Sequence, residues 1–425
     1  MLVTAYQWYE LWFRVLLADL RALAADNGAT FESIKLLRRC IALFQLFDLH
    51  ADLVESIVVR ELELTIQLRV AGNEIFSDQF SQIVALSRRL PVSDDPGLVD
   101  AAREYSAHLK SFRVRFVRLV RATLIPRRTR IPTFAEWLRL PELFDLQDGP
   151  KAAWAEVGSQ PTALMKPDRI SADENMFIVV HQCFEIWFQV MLDHIDRVNA
   201  QLFDGNIANA ARLMRHAVQI QRLLNRQIEI PATMLPLDFL RFRSQKMERD
   251  GKMFVTGLSP ASGTESYQFR EIEIACGLRD NSVFQHYLRG NEKLPIQLLT
   301  PRQSERLKRP SLVDAFRHAV TQRGIEKFDA LFTPANISNP NADLADLADT
   351  FIEFDEAFRF WRLAHVSMVE KMIGAKSGTG FLGPEYLMET AGIKIQEKNR
   401  IFEERQVRPR FFEELWQMRS RMGAY

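Results

Sequence analysis

Apolar residues recur every three or four positions through most of this chain, and that spacing is what most narrows its possible folds. Residues 5–24, 32–70, 98–124, 173–202, 207–229, 266–277, 311–323 and 344–374 carry it, as expected where one stripe of a helix is buried. Convincing period-two strands are absent, and Asn-Gly or Asp-Gly pairs are not flanked by alternating runs. The pattern predicts an all-α protein, a bundle of packed helices. Pro126, Pro132, Pro141 and Pro150 crowd the stretch after the first helical block and put a domain boundary near residue 130. A second break falls around residues 248–265, where Gly251, Gly257, Pro260 and Gly263 accumulate.

Charge and cysteine usage exclude several classes of function. The net charge is +1 over 425 residues, so no overall field draws nucleic acid or an acidic membrane. The basic run Arg127-Arg128-Thr129-Arg130 reads as a solvated linker face. Cys40, Cys183 and Cys276 form no CxxC or CxxCH pattern, which removes a disulfide framework, a zinc site and a c-type heme attachment. A reducing, cytoplasmic location is the expectation. The N-terminus lacks a basic segment before its apolar run, so no signal peptide is predicted. Charges such as Arg14, Asp19, Arg38 and Asp48 interrupt the apolar stretches, so no membrane span is predicted.

The chain also echoes itself. Residues 6–20 (YQWYELWFRVLLADL) and 181–195 (HQCFEIWFQVMLDHI) are identical at six of fifteen positions. Residues 35–57 pair more weakly with 212–234, and 112–125 with 361–374. Three matches in one order favour a duplication. Its first copy omits the polar chemistry of the second: Tyr6 stands for His181, Phe116 for His365, and Ser81 aligns loosely with the Arg270 region. A first half kept for packing is the expectation.

Four residues of the second copy admit a chemical account beside a structural one. His365 has Trp361, Met368, Val369 and Met372 as helical neighbours, an apolar face suited either to a packed core histidine or to an axial ligand of heme iron. His181 lies on a helix apolar nearly all round, begun by a Ser171/Glu174 capping box. It is either part of a buried hydrogen-bond network or a group facing a ligand. Arg270 can pair with Glu271 or Glu273, or hold a carboxylate through two parallel hydrogen bonds. Thr379, in the glycine-rich GAKSGTGFLG that follows a helix, belongs to a helix stop or presents its hydroxyl to a ligand.

Taken together, TFAEWLRLPELFDLQ, DENMFIVVHQCFEIWF, LPLDFLRFR, SPASGTESYQFREIE, RPSLVDAF and FWRLAHVSMVEKMIGAKSGTG resemble the tryptophan 2,3-dioxygenase family, in that family's order, over about residues 133–390. The resemblance implies a non-covalent heme b held by His365. It implies that His181 hydrogen-bonds the indole N–H and that Phe177 lines the pocket. Arg270 would clamp the substrate carboxylate and Thr379 would contact the amino-acid end. It implies O2 and an aromatic amino acid as substrates, with both oxygen atoms entering across the indole C2–C3 bond to give N-formylkynurenine. It further implies a homo-oligomer, or a pseudo-dimer within one chain if the first half replaces a partner.

The sequence departs from the family in places that bear on substrate identity. Phe134 and Trp137, expected at the substrate, stand where the family has tyrosines. Residues 380–383 read GFLG in place of a longer loop, and Thr264 follows Gly263 where the family has phenylalanine. Monooxygenation of another aromatic amino acid, or heme binding without catalysis, are the rival expectations. The His-x-x-x-Cys motif of heme-linked tyrosine-hydroxylating relatives is absent.

Overall fold

The computed structural model describes residues 1–25, 31–61, 66–69, 77–90, 94–127, 132–146, 172–242, 245–249, 252–256, 266–279, 300–332, 339–374, 376 and 410–421. Helices dominate them, as the periodicity predicts. In chain order they are α1 (Leu2–Ala25), α2 (Phe31–Glu61), α3 (Asp78–Ser87), α4 (Pro96–Thr123), α5 (Phe134–Leu138), α6 (Leu140–Asp145) and α7 (Ala172–Phe203). They continue with α8 (Ile207–Gln227), α9 (Pro236–Phe242), α10 (Tyr267–Cys276), α11 (Pro301–Leu307), α12 (Leu312–Gln322), α13 (Ala342–Ile373) and α14 (Glu413–Arg421).

Two small strand pairs correct the strand-free expectation. Ile66–Arg69 pairs in parallel with Leu124–Arg127. The helical spacing read through 32–70 hid a period-two run, Leu64, Ile66 and Leu68 alternating with Thr65, Gln67 and Arg69. The second pair, Gln245–Arg249 with Lys252–Thr256, is antiparallel and joins Arg249 to Lys252 across Asp250-Gly251. That dipeptide favours tight hairpins. The flanking runs QKMER and KMFVT alternate poorly, so the period-two pattern does not mark this pair in the sequence.

The packing forms two compact units: Met1–Ile186 with Arg226–Gly257, and Trp187–Asn225 with Leu258–Tyr425. The first is built around α1 to α4. Tyr9, Phe13, Phe44, Phe47, Phe80 and Phe112 are all buried there; Tyr9–Phe13 and Phe13–Phe80 are stacked, while pairs such as Phe13–Phe47 and Phe80–Phe112 meet edge-on. Asp95 caps α4 through the Leu98 N–H, with Pro96 in the first turn, and Ser77 caps α3 through the Phe80 N–H. The buried Arg39, 1% exposed, is compensated by pairing with both Asp19 and Asp173. Asp173 also accepts from the Leu235 N–H at 2.8 Å.

In the second unit, capping boxes at Thr300 and Ser311 start α11 and α12. Gly277, at φ 123°, ends α10 where Val313 would crowd any side chain at 3.0 Å. Buried Asp355 accepts from the Phe412 N–H and the Trp416 indole, which fastens α14 to α13. All three cysteines are free and buried, in line with the absence of a disulfide framework.

One helix among the described residues departs from the expectation of no membrane span. By length and composition α7 could cross a bilayer, its most apolar window having mean hydropathy 1.2. Since 56% of that window is buried within the protein, packing also accounts for its apolar character.

Candidate functional site

Phe177 and His181 lie one turn apart on α7. Their rings sit 4.5 Å apart, and Phe177 also meets Phe239 and Phe242 of α9 at 5.6 and 5.4 Å. The His181 Nδ1 is 2.7 Å from the Phe177 carbonyl oxygen. A carbonyl can only accept, so Nδ1 carries the proton and, in the neutral ring, Nε2 is left as an acceptor. Burial pushes the His181 pKa below its ordinary value, which keeps the ring neutral at pH 7. His181 nevertheless retains part of its accessible surface. Chemically the partly exposed ring offers one fixed acceptor, Nε2, suited to a neutral N–H donor.

Arg270 and His365 belong to the second unit. The Ser266 hydroxyl accepts from the Phe269 N–H and starts α10, so Arg270 falls in its first turn. The Arg270 Nη1 donates to the Glu273 Oε2 at 2.7 Å, and the Glu273 Oε1 accepts from the Arg362 Nη2 at 3.4 Å. Glu271 turns elsewhere, to Arg302 at 2.8 Å and Arg306 at 3.2 Å. Of the two ion pairs the sequence allowed for Arg270, the Glu273 pair forms.

His365 lies on α13 beside Trp361, the rings stacked at 5.4 Å and 28°. Trp361 in turn meets Phe269 at 5.5 Å. Trp361, His365, Met368 and Val369 all keep part of their surface. No cluster of three or more metal-ligating side chains occurs among the described residues, so a bare ion has no cage there. A porphyrin iron needs only one protein nitrogen and an apolar face to lie on. The His365 imidazole, on a partly open side of α13 with Trp361, Met368 and Val369, fits that donor requirement.

The structure brings Phe134 and Trp137 to Tyr6, with ring centroids 5.6 and 6.1 Å away. A Thr133/Glu136 capping box starts α5. Gln7 then holds it through the Leu138 carbonyl at 2.9 Å, and Arg14 donates to the Phe144 carbonyl at the end of α6. Gln182, beside His181, donates to the Leu146 carbonyl at 3.2 Å. Thr379, Thr264, Ser171 and the GFLG stretch lie outside the described residues. Sequence reasoning treated Glu273 only as a neutralising partner and missed Arg362.

A family model described as tryptophan 2,3-dioxygenase matches residues 159–326, a span that includes Phe177, His181 and Arg270 and stops before His365. The tryptophan 2,3-dioxygenase of Herpetosiphon aurantiacus is 29% identical over 307 residues, which cover 68% of this chain and 97% of that protein. That of Pseudomonas fluorescens is 29% identical over 273 residues, 58% of this chain and 82% of its own. That of a Nocardioides species is 32% identical over 262 residues, 58% of this chain and 84% of its own. With this identity across most of a relative's length, the chain belongs to the tryptophan 2,3-dioxygenase family.

Proposed function

We propose that this chain is a heme-dependent oxygenase that adds both atoms of O2 across the indole C2–C3 bond of L-tryptophan or a close analogue, giving an N-formylkynurenine-type product. One observation carries the reading: the α13 face around His365 is apolar and partly open, while the matching face of α4, with Phe116 in the same register, is buried. Non-covalent heme b would be held by His365 and would supply the activation of O2. The chain supplies orientation and polarity. His181 accepts the indole N–H at Nε2, and Phe177 walls the ring. Arg270 binds the substrate carboxylate, and Thr379 meets the amino-acid end. A spectrum of the purified, heme-reconstituted chain with and without L-tryptophan tests cofactor and ligand together. A Soret band that shifts on adding the amino acid is expected, and its absence rejects the reading.

Residues 1–130 are, in this proposal, a degenerate copy without the heme ligand, and residues 131–425 are the catalytic part. Repeated ring contacts support it. Phe13–Phe80, Phe80–Phe112 and Phe112–Phe116 stand at 5.1, 5.6 and 5.5 Å. Their register partners Phe188–Phe269, Phe269–Trp361 and Trp361–His365 stand at 5.7, 5.5 and 5.4 Å. Helices α3 and α10 are both ten residues long, both capped by serine, and read SDQFS and SYQFR from the cap. Within the first unit, Trp8 donates to Gln227 at 2.9 Å, and Arg39 pairs with Asp173. Segments assigned to the two copies therefore pack on each other within this unit, which is compatible with a pseudo-dimer within one chain. Phe134 and Trp137, expected at the substrate, here cover Tyr6 in the register of His181.

A further inference from the structure

We infer that Glu273 is the positioning residue of the carboxylate clamp: it fixes the Arg270 guanidinium and ties it to the helix that carries His365. The inference rests on the proposed assignment of Arg270 to the substrate carboxylate.

Geometry supplies the first support. Arg270 and Glu273 are three residues apart on α10, hence on one face, and their bond at 2.7 Å is a charge-assisted one. Glu273 is 1% exposed, and its other oxygen reaches Arg362. Arg362 precedes His365 by three residues on α13. A single buried carboxylate thus spans from the clamp to the helix of the proposed iron ligand. An arginine has four rotatable bonds, and a fixed acceptor at Nη1 selects among its rotamers before substrate arrives. Small errors in such placement are costly, because a bidentate fork must meet a carboxylate in plane.

The internal copy supplies the second support. Ser81 stands in the register of Arg270, and Val84 stands in the register of Glu273. The clamp and its anchor are missing together. Arg113 remains in the register of Arg362, but there the side chain is exposed, whereas Arg362 is buried beside Glu273. Glu271 offers a matched contrast. It is equally buried on the same helix and pairs with two arginines, neither of them Arg270.

Calorimetric titration of the heme-loaded full chain tests this, with L-tryptophan and with tryptamine, which has the same indole and no carboxylate. Glu273→Gln should weaken L-tryptophan binding roughly tenfold and leave tryptamine within about twofold, with the Soret band intact. Glu273→Asp keeps the charge and should recover part of the loss; its ratio of the two affinities decides the matter if Glu273→Gln does not fold. Glu271→Gln should lower the thermal midpoint and spare both affinities. L-tryptophan binding unchanged in Glu273→Gln, while Arg270→Ala loses roughly a hundredfold, overturns the inference alone. Unchanged binding in Arg270→Ala overturns the clamp assignment and the inference with it.

Discussion

In the proposed duplication, helices α1, α3 and α4 form the first copy and α7, α10 and α13 the second, and the two sets show parallel ring contacts. In the first, Phe112 and Phe116 are buried on α4 and Tyr6 bonds to Thr123 inside the core. In the second, Trp361 and His365 hold the same spacing with part of their surface open. The first also buries Asp19 against Arg39, where the second has His194 and His216 with rings 5.8 Å apart. In the proposed reading, the difference teaches that a binding site and a packed core can share one aromatic framework. What separates them is whether the registers of the ligand and the clamp hold polar groups or apolar filler.

The largest expected effect is at His365. His365→Ala should remove the Soret band completely, whereas Phe116→Ala should leave heme content at one per chain. Two hemes per unaltered chain, or half-occupancy after His365→Ala, would break the comparison. Phe116→Ala should instead act on the core, costing about 3–5 kcal/mol by chemical denaturation. A loss under about 1 kcal/mol would mean that the α4 face is not close-packed filler.

The next effect is a pH dependence owed to Glu10, in the register of Glu185. Desolvation by burial raises the Glu10 pKa from 4.5 to about 7. Folding therefore favours its protonated form. That contribution is complete below about pH 4.5 and is lost as pH rises through about 7, amounting to roughly 3 kcal/mol. Glu10→Gln should flatten this part of the stability profile and raise the melting temperature at pH 8 relative to the unaltered chain. A profile of unchanged slope would remove Glu10 as its source. The smallest effect is at Trp137, which packs on Tyr6. Trp137→Tyr should change KM for L-tryptophan by less than about threefold, and a larger change would return Trp137 to the substrate.

Long helices were legible because each buries one stripe, which is why 173–202 and 344–374 nearly coincide with Ala172–Phe203 and Ala342–Ile373. Short elements were not: α3, α5, α9 and α11 are too brief for their periodicity to stand out, and caps rather than stripes mark their starts. The run at 62–70 satisfied two periods at once, and the structure shows the strand at Ile66–Arg69. At the candidate site, residue types and their order were readable at His181, Arg270 and His365. The His181 tautomer and the anchoring of Arg270 were not, because both depend on a carbonyl or a carboxylate whose direction only the folded backbone sets.

The proposed chemistry is tested most directly by turnover with isotopically labelled O2. The heme-loaded chain, reduced without oxygen and mixed with L-tryptophan, should on admission of 18O2 release an N-formylkynurenine-type product carrying both labelled atoms. A product with one labelled oxygen, or L-tryptophan recovered unchanged, would contradict it.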